Sequence, residues 1–458
     1  MKRLIMLAVL CAFVLSAAAA SAADFKASGQ FVNDAMWQSN WNFKDKGAKD
    51  NDSRVFNVKQ RIDIVLEFIA SENLKAVMYT RTQGLWGSDY SVDGDTYTGA
   101  TGIGLRRAYI DFNWPDTSIN IKSGYMGLSL PTAIGGGSFI LDGEIAGAMV
   151  SGPITDNVSF LAGYARAFDE NTAGESQVDA YVAALPMAFD GFSLQPFAMY
   201  ANVGKGLSGN EVDTNLPNLA SLNATSSTTT DEYDGAYWLG AAFTMDLFDP
   251  FVLKADLNYG KVQAKNDINE RSGWLFDMAL EYTGLDYMTP EVFFAYTTGE
   301  DGNASKGSGD SERMPFLSAS NWALGSFFFG GDTFLQGSMG DRSKYLGFWA
   351  LGASLKDIQS FAEGLTHTAT IIYAKGTNDK EIGTAYSESY GNVAYGSTLT
   401  EKDSLIEVDF NTYYKLYDEM TIGMELGYLN LDTKESVWGA DQKGGDAWKI
   451  STGLVYKF

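Results

Sequence analysis

The feature that most restricts the fold of this chain is a two-residue hydrophobic period that returns in segment after segment. From Phe56 to Phe68 the even positions read Phe56, Val58, Gln60, Ile62, Ile64, Leu66 and Phe68, and the odd ones Asn57, Lys59, Arg61, Asp63, Val65 and Glu67. Successive side chains of a β-strand point to opposite faces, so this run makes one apolar and one polar face. The same division separates Ala108, Ile110, Phe112 and Trp114 from Arg107, Tyr109, Asp111 and Asn113. It also separates Phe251, Leu253, Ala255, Leu257 and Tyr259 from Lys254, Asp256 and Asn258. Near the C-terminus Ile406, Val408, Phe410, Tyr414 and Leu416 alternate with Glu407, Asp409 and Asn411, and Ile422, Met424, Leu426 and Tyr428 alternate with Glu425 and glycines. If the apolar side meets lipid, a one-residue slip at Phe56 would bury Lys59 and Arg61 in it at about 2–4 kcal/mol each, so register is fixed.

The links between these strands alternate in length. Ser71-Glu72-Asn73, residues 115–118, Thr155-Asp156-Asn157, Phe189-Asp190-Gly191, Phe248-Asp249-Pro250 and Tyr417-Asp418-Glu419 read as tight turns. The intervening links are longer and rich in Gly, Ser, Thr, Asn and Asp, the longest near residues 204–235, 298–344 and 376–402. Short turns on one rim and long loops on the other define an all-β, transmembrane antiparallel β-barrel. A β-sandwich or β-helix has shorter strands and no such alternation. At roughly 24 residues per strand and connection, the chain predicts about 18 strands, with 16 as the alternative even number.

The N-terminus is a targeting segment rather than part of the fold. Lys2 and Arg3 precede an apolar stretch from Leu4 to Leu15, and Ser21-Ala22-Ala23 supply small residues. This predicts a secretory signal peptide over residues 1–23, cut before Asp24, leaving 24–458 as a single barrel domain. The sole cysteine, Cys11, falls in the leader, so disulfides, thiol catalysis and cysteine metal sites are excluded from the mature chain. The formal charge of −24 argues against nucleic acid as a partner. Beyond the leader no run approaches 18 apolar residues, so no helical membrane span is expected. A barrel hides its apolar surface in alternate residues, so a mean hydropathy of −0.13 is compatible with full insertion.

Signals for catalysis fail individually. The single histidine, His367, lies in a strand pattern and reads as a polar strand-end residue; no Gly-x-Ser-x-Gly elbow is present. Gly204-Lys205-Gly206-Leu207-Ser208-Gly209 has a dinucleotide-loop spacing, but Pro217 and the lack of a helical stripe after it mark an external loop. Asp89, Asp93 and Asp95 lack the ordered spacing of a calcium loop and read as solvated surface. We therefore expect no enzyme activity, no cofactor and no metal. Trp37, Trp86 and Trp114 stand near predicted strand ends, where amphipathic rings form an interfacial girdle.

Three stretches carry a family resemblance. Trp448, Ile450, Thr452, Leu454, Tyr456 and Phe458 end the chain on alternating apolar residues and a terminal Phe. This resembles the signal read by the barrel-assembly machinery, with Leu454, Tyr456 and Phe458 at its end. Residues 119–131 followed by Thr132-Ala133-Ile134-Gly135-Gly136-Gly137-Ser138-Phe139-Ile140-Leu141-Asp142-Gly143-Glu144 resemble the infolded third loop of general trimeric porins. Over its mature length the chain resembles the homotrimeric porins of sulfate-reducing bacteria, with Arg106 to Phe112 and this glycine-rich loop as the nearest matches. The resemblance implies a homotrimer in the outer membrane of a Gram-negative cell, in contact with lipid and lipopolysaccharide. It further implies passive diffusion of ions and small hydrophilic solutes through a water-filled pore.

Strand parity supplies a candidate constriction. Lys59, Arg61, Lys75, Arg81, Arg107 and Lys122 fall on the water side of the early strands, and Asp142 and Glu144 on the infolded loop. Opposed charges at about 8 Å are worth only on the order of 0.5 kcal/mol per pair in water, yet several together orient dipolar solutes. Equally, the basic residues can pair with Asp63, Glu67 and Asp111 in the wall. Asp256, Asp277, Glu281, Glu407, Asp409 and Glu425 make later strands acidic on the same face, which favours cations. Two other functions stay open: a substrate-selective channel using Phe327-Phe328-Phe329 or the lumenal tyrosines as a sugar slide, and a barrel acting as scaffold for an enzyme or adhesin. Small outward residues such as Ala27 and Gly29 permit close packing between subunits.

Overall fold

The computed structural model describes residues 24–43, 55–87, 90–91, 103–169, 177–204, 233–265, 270–302, 311–334, 347–386, 395–440 and 442–458. The expected leader, Asp89, Asp93, Asp95 and the loop from Lys205 to Gly209 lie outside them. The alternating sequence forms one antiparallel wall. Its first half comprises β1 (Asp24–Ser39), β2 (Val55–Ser71), β3 (Leu74–Leu85), β4 (Gly104–Asn113), β5 (Asn120–Ser129), β6 (Asp142–Pro153), β7 (Ser159–Asp169), β8 (Gln177–Ala184 continued by Met187–Phe189) and β9 (Phe192–Val203). Its second half comprises β10 (Tyr233–Phe248), β11 (Phe251–Ala264), β12 (Arg271–Tyr282), β13 (Thr289–Thr297), β14 (Phe348–Gln359), β15 (Leu365–Gly376), β16 (Ser404–Tyr417), β17 (Met420–Asp432) and β18 (Gly444–Lys457).

Among the described residues the wall therefore has 18 strands. The two parts of β8 pair with the same strand, β9, and the break between them falls at Leu185 and Pro186, where proline removes a ladder donor. Tyr90 and Ser91 form only a short pairing with the end of β3. Closure comes from β18 against β1, in register from Gln30↔Lys457 to Ser39↔Trp448. Gly29 and Phe458 exchange backbone hydrogen bonds at 3.0 and 3.1 Å. The terminal residues Leu454, Tyr456 and Phe458 thus sit on the closing seam, and the Phe458 ring lies 6.0 Å from that of Phe31.

The predicted faces are those observed. Phe56 and Phe68 of β2 point out and are exposed, whereas Arg61 and Asp63 point in and are buried. The predicted tight turns join β2 to β3, β4 to β5, β6 to β7, β8 to β9, β10 to β11 and β16 to β17 on one rim. Trp86 and Trp114 lie just beyond strand ends and Trp37 near one, all three exposed on the outside. His367 on β15 shares a hydrogen bond of 2.9 Å with Thr412 and stacks on Phe410. Two short helices, α1 (Glu381–Tyr386) and α2 (Glu435–Trp438), lie in the last two long loops. There Asp403 accepts from Thr400 and from Trp438 Nε1; burial nevertheless pushes its carboxyl above the ordinary range.

Candidate functional site: a lumen bridged by two infolded loops

The interior is crossed by two loops that meet. The first, residues 130–141 between β5 and β6, is the predicted third loop, and it does fold inward. Pairing of β4 with β5 stops at Ala108↔Tyr125, while pairing of β5 with β6 runs on to Ser129↔Asp142. The upper half of this hairpin has therefore left the wall. Its loop reaches β11 on the far side, where the Asp256 carboxylate accepts from Thr132 Oγ1 at 3.0 Å and from the backbone N–H groups of Ala133 and Ile134 at 2.9 and 3.0 Å.

The second loop, between β13 and β14, contributes residues 311–334. It bonds to the first along a backbone seam: Asp142 N–H donates to Ser318 O at 2.6 Å, Leu317 N–H to Ile140 O at 2.9 Å, and Ser320 N–H to Ser138 O at 3.0 Å. Aromatic packing fills the junction, with the rings of Phe139 and Trp322 4.1 Å apart. Further on, this loop is fastened to the opposite wall. Phe327, Phe328 and Phe329 donate their backbone N–H groups to the Glu407 carboxylate at 3.0, 3.0 and 3.3 Å. Ser326 N–H donates to Asp409 at 2.7 Å and Thr333 N–H to Glu425 at 2.6 Å. Lys449 Nζ, fully buried, donates to Ser326 O at 2.5 Å and to Glu425 at 3.1 Å. Such charge-assisted bonds are the stronger class in proteins.

Glycines on the inner face make this docking possible. A Cβ on Gly427 would stand 2.8 Å from Phe327, and one on Gly423 or Gly453 would stand 3.0 Å from the Phe334 ring. A Cβ on Gly325 would come 2.2 Å from Glu407 Oε1.

Several expectations are corrected by this arrangement. Glu407, Asp409, Glu425, Asp256 and Asp277 do not line water; they are buried beneath the bridge, and all but Asp277 hold loop backbone. Phe327-Phe328-Phe329 cannot act as a slide for a solute, because all three are buried within the bridge. Asp142 and Glu144 are residues of β6 rather than of the loop that precedes it.

Glu144 nonetheless faces basic groups on the wall it has left. It takes Arg106 at 2.5 Å and Arg107 at 3.4 Å, so direct ion pairs replace charges opposed across water. Arg106 was missed by parity because it is the extra residue of a β-bulge between Tyr79↔Arg107 and Thr80↔Leu105. The other basic residues pair largely within the wall. Asp63 takes Arg61 at 3.2 Å and Arg81 at 2.6 Å, Lys75 meets Glu67 at 3.0 Å, and Lys122 meets Asp111 at 3.7 Å. Lys59 stands opposite Asp34 in the β1–β2 ladder, half-buried. Of the wall cations, Lys75, Arg107 and Lys122 keep about 36–44% of their side chains accessible, so water reaches them.

Beside the bridge, against β11 to β16, lies a polar cavity of about 300 Å³. Its wall carries an alternating charge ladder: Glu281 takes Lys254 at 2.8 Å and Lys356 at 2.5 Å, and Lys356 also reaches Glu291 at 2.9 Å. Residues Ala133 to Gly135 of the first loop and Ala323 to Ser326 of the second form its other side.

No family model and no curated protein matches the chain. Solved structures do match it over nearly all its length. The outer membrane protein OprD of Pseudomonas aeruginosa is 13% identical, with 96% of this chain and 97% of that one covered at a TM-score of 0.52. Pseudomonas aeruginosa OccK8 (OprE) is 14% identical, with 95% and 98% covered at a TM-score of 0.54, and OccK11 (OpdR) is 12% identical, with 95% and 96% covered at 0.53. At these identities the likeness is one of fold: an outer-membrane β-barrel. These are not the homotrimeric porins of sulfate-reducing bacteria that the sequence resembles; what they share with this chain is a porin-like barrel.

Proposed function

We propose that the protein is a passive outer-membrane channel selective among small hydrophilic solutes, rather than an unselective diffusion pore. One observation carries this reading. The two infolded loops join into a bridge fastened to both sides of the wall, and the water left beside it is lined by fixed, paired charges. A pore built so discriminates by size and by hydrogen-bonding pattern, because a solute must exchange its hydration for groups that do not move aside. The cation preference expected from the acidic late strands loses its basis, since all six of those acids are buried; Glu281, which borders the polar cavity, is neutralised by Lys254 and Lys356.

Planar-bilayer recording with the purified mature chain tests the proposal. Single-channel current that saturates or is blocked as one class of charged solute is raised supports selectivity. Conductance strictly proportional to concentration for every solute supports the open pore instead, and absence of current supports the scaffold reading. Closure in steps of three would support the homotrimer that the resemblance implies, and single steps would count against it.

A further inference from the structure

The outer wall carries a furrow. Two neighbouring rows of outward side chains follow the ladder, one from Leu280 on β12 to Val408 on β16, the other from Pro290 on β13 to Phe410 on β16. Alanine interrupts each row once. Ala353 stands between Val292 and Ile371, which are 54% and 55% exposed, and Ala369 between Leu355 and Phe410, which are 41% and 40% exposed. The two gaps are diagonal neighbours, so they join into one hollow of about 630 Å³ with almost wholly apolar walls. From β12 to β16 it crosses four strand spacings of about 4.8 Å, roughly 19 Å in all.

One row nearer the short-turn rim the surface turns polar. His367, near the start of β15, stands opposite Thr412, two positions along each strand from Ala369 and Phe410. Its ring lies on that of Phe410, which lines the furrow. Among the described residues its only hydrogen bond is the one from Nδ1 to Thr412. Where Nδ1 accepts the hydroxyl proton, Nε2 carries the ring hydrogen and is a donor. Tyr414 follows opposite Leu365 and is exposed, an amphipathic ring of the kind that rests at headgroup level.

A narrow apolar furrow that ends at a hydrogen-bond donor has the polarity of a single amphiphile. Its width admits a hydrocarbon chain, whereas a second barrel, itself convex, would span the hollow without filling it. Short turns face the periplasm in outer-membrane barrels, so the furrow lies in the leaflet of glycerophospholipid; lipopolysaccharide occupies the other leaflet, at the long-loop rim. We propose that the furrow over Ala353 and Ala369 binds one acyl chain of a glycerophospholipid, whose phosphate accepts from His367. The site belongs to the outer surface and does not depend on which solute the channel passes.

Native mass spectrometry of residues 24–458, released from nanodiscs of phosphatidylethanolamine and phosphatidylglycerol, tests it. The expected result is one phospholipid that stays on each barrel after the others are stripped. Ala353→Phe with Ala369→Phe should fill the furrow and lower the lipid-bound fraction at least about tenfold; if that pair does not fold, Ala369→Leu alone should lower it in the same direction. Ala198→Phe, at an exposed outward position on β9, should leave it unchanged. His367→Ala should weaken retention of the phospholipid but not of hexadecanol, which has no phosphate. Stripping without a one-lipid plateau, equal retention in the filled variants, or equal loss of hexadecanol in His367→Ala would overturn the proposal. So would preferential retention of lipid A, or a change in the number of chains per particle when the furrow is filled.

Discussion

At the scale of the residue, charge placement decides more than charge content. Glu144, on a hairpin that has folded away from the wall, holds two guanidinium groups, so removing its charge takes a carboxylate away from Arg106 and Arg107. Glu144→Gln, alone or with Asp142→Asn, should shift zero-current potentials in a salt gradient towards anions. At about 0.5–1 kcal/mol for a partly exposed pair, that is roughly a two- to fivefold change in permeability ratio. Unchanged potentials would remove Glu144 from the conducting path. Inward parity correctly placed Arg61, Arg81 and Arg107, since a period of two is written in each strand separately. Arg106 escaped because a bulge breaks that period, and no local signal in Arg106-Arg107 says which of the two is the extra residue. Glu407 is legible as an inward acid but not as a loop anchor, because its partners Phe327 to Phe329 lie about 80 residues away in a different loop, and only the fold brings them together. The inward glycines Gly423 and Gly427 were a usable clue, because a water-facing strand has no need of missing side chains.

At the scale of the element, the strands were legible and the loops were not. Every clear alternating run became a wall strand with its apolar face outward. Leu257, outward near the middle of β11 and half-exposed, marks the lipid belt. Leu257→Arg should destabilise the inserted barrel by about 2–4 kcal/mol in urea titrations from bilayers, with a much smaller effect if that face meets water. The glycine-rich stretch correctly announced an infolded third loop. Its partner, residues 311–334, gave no comparable signal, since a segment that packs inside a barrel has neither strand period nor helical stripe. Its position can be trapped. A Cβ on Gly143 would lie 3.6 Å from that of Ser318, within the usual disulfide separation of about 3.5–4.5 Å. Because residues 24–458 contain no cysteine, Gly143→Cys with Ser318→Cys in that part of the chain should oxidise to an intramolecular disulfide, visible as a mobility shift that a reductant reverses. Persistent free thiols in the folded barrel would place the second loop elsewhere.

At the scale of the whole molecule, two surfaces divide the work. The outer one is a belt of alternate apolar side chains that only a lipid environment satisfies. The inner one is partly covered by an apolar and hydrogen-bonded bridge, so that the barrel contains a core as well as a lumen. Stability and permeability are thereby coupled: the same carboxylates that neutralise buried backbone donors also set how much water remains beside them. The most direct measurement of this account is the single-channel conductance of a variant in which residues 312–333 are replaced by a short Gly-Ser link, compared with the unaltered protein in the same bilayer and salt. The account predicts a severalfold larger conductance with loss of discrimination among solutes. Equal conductance with selectivity retained would show that the bridge does not narrow the passage.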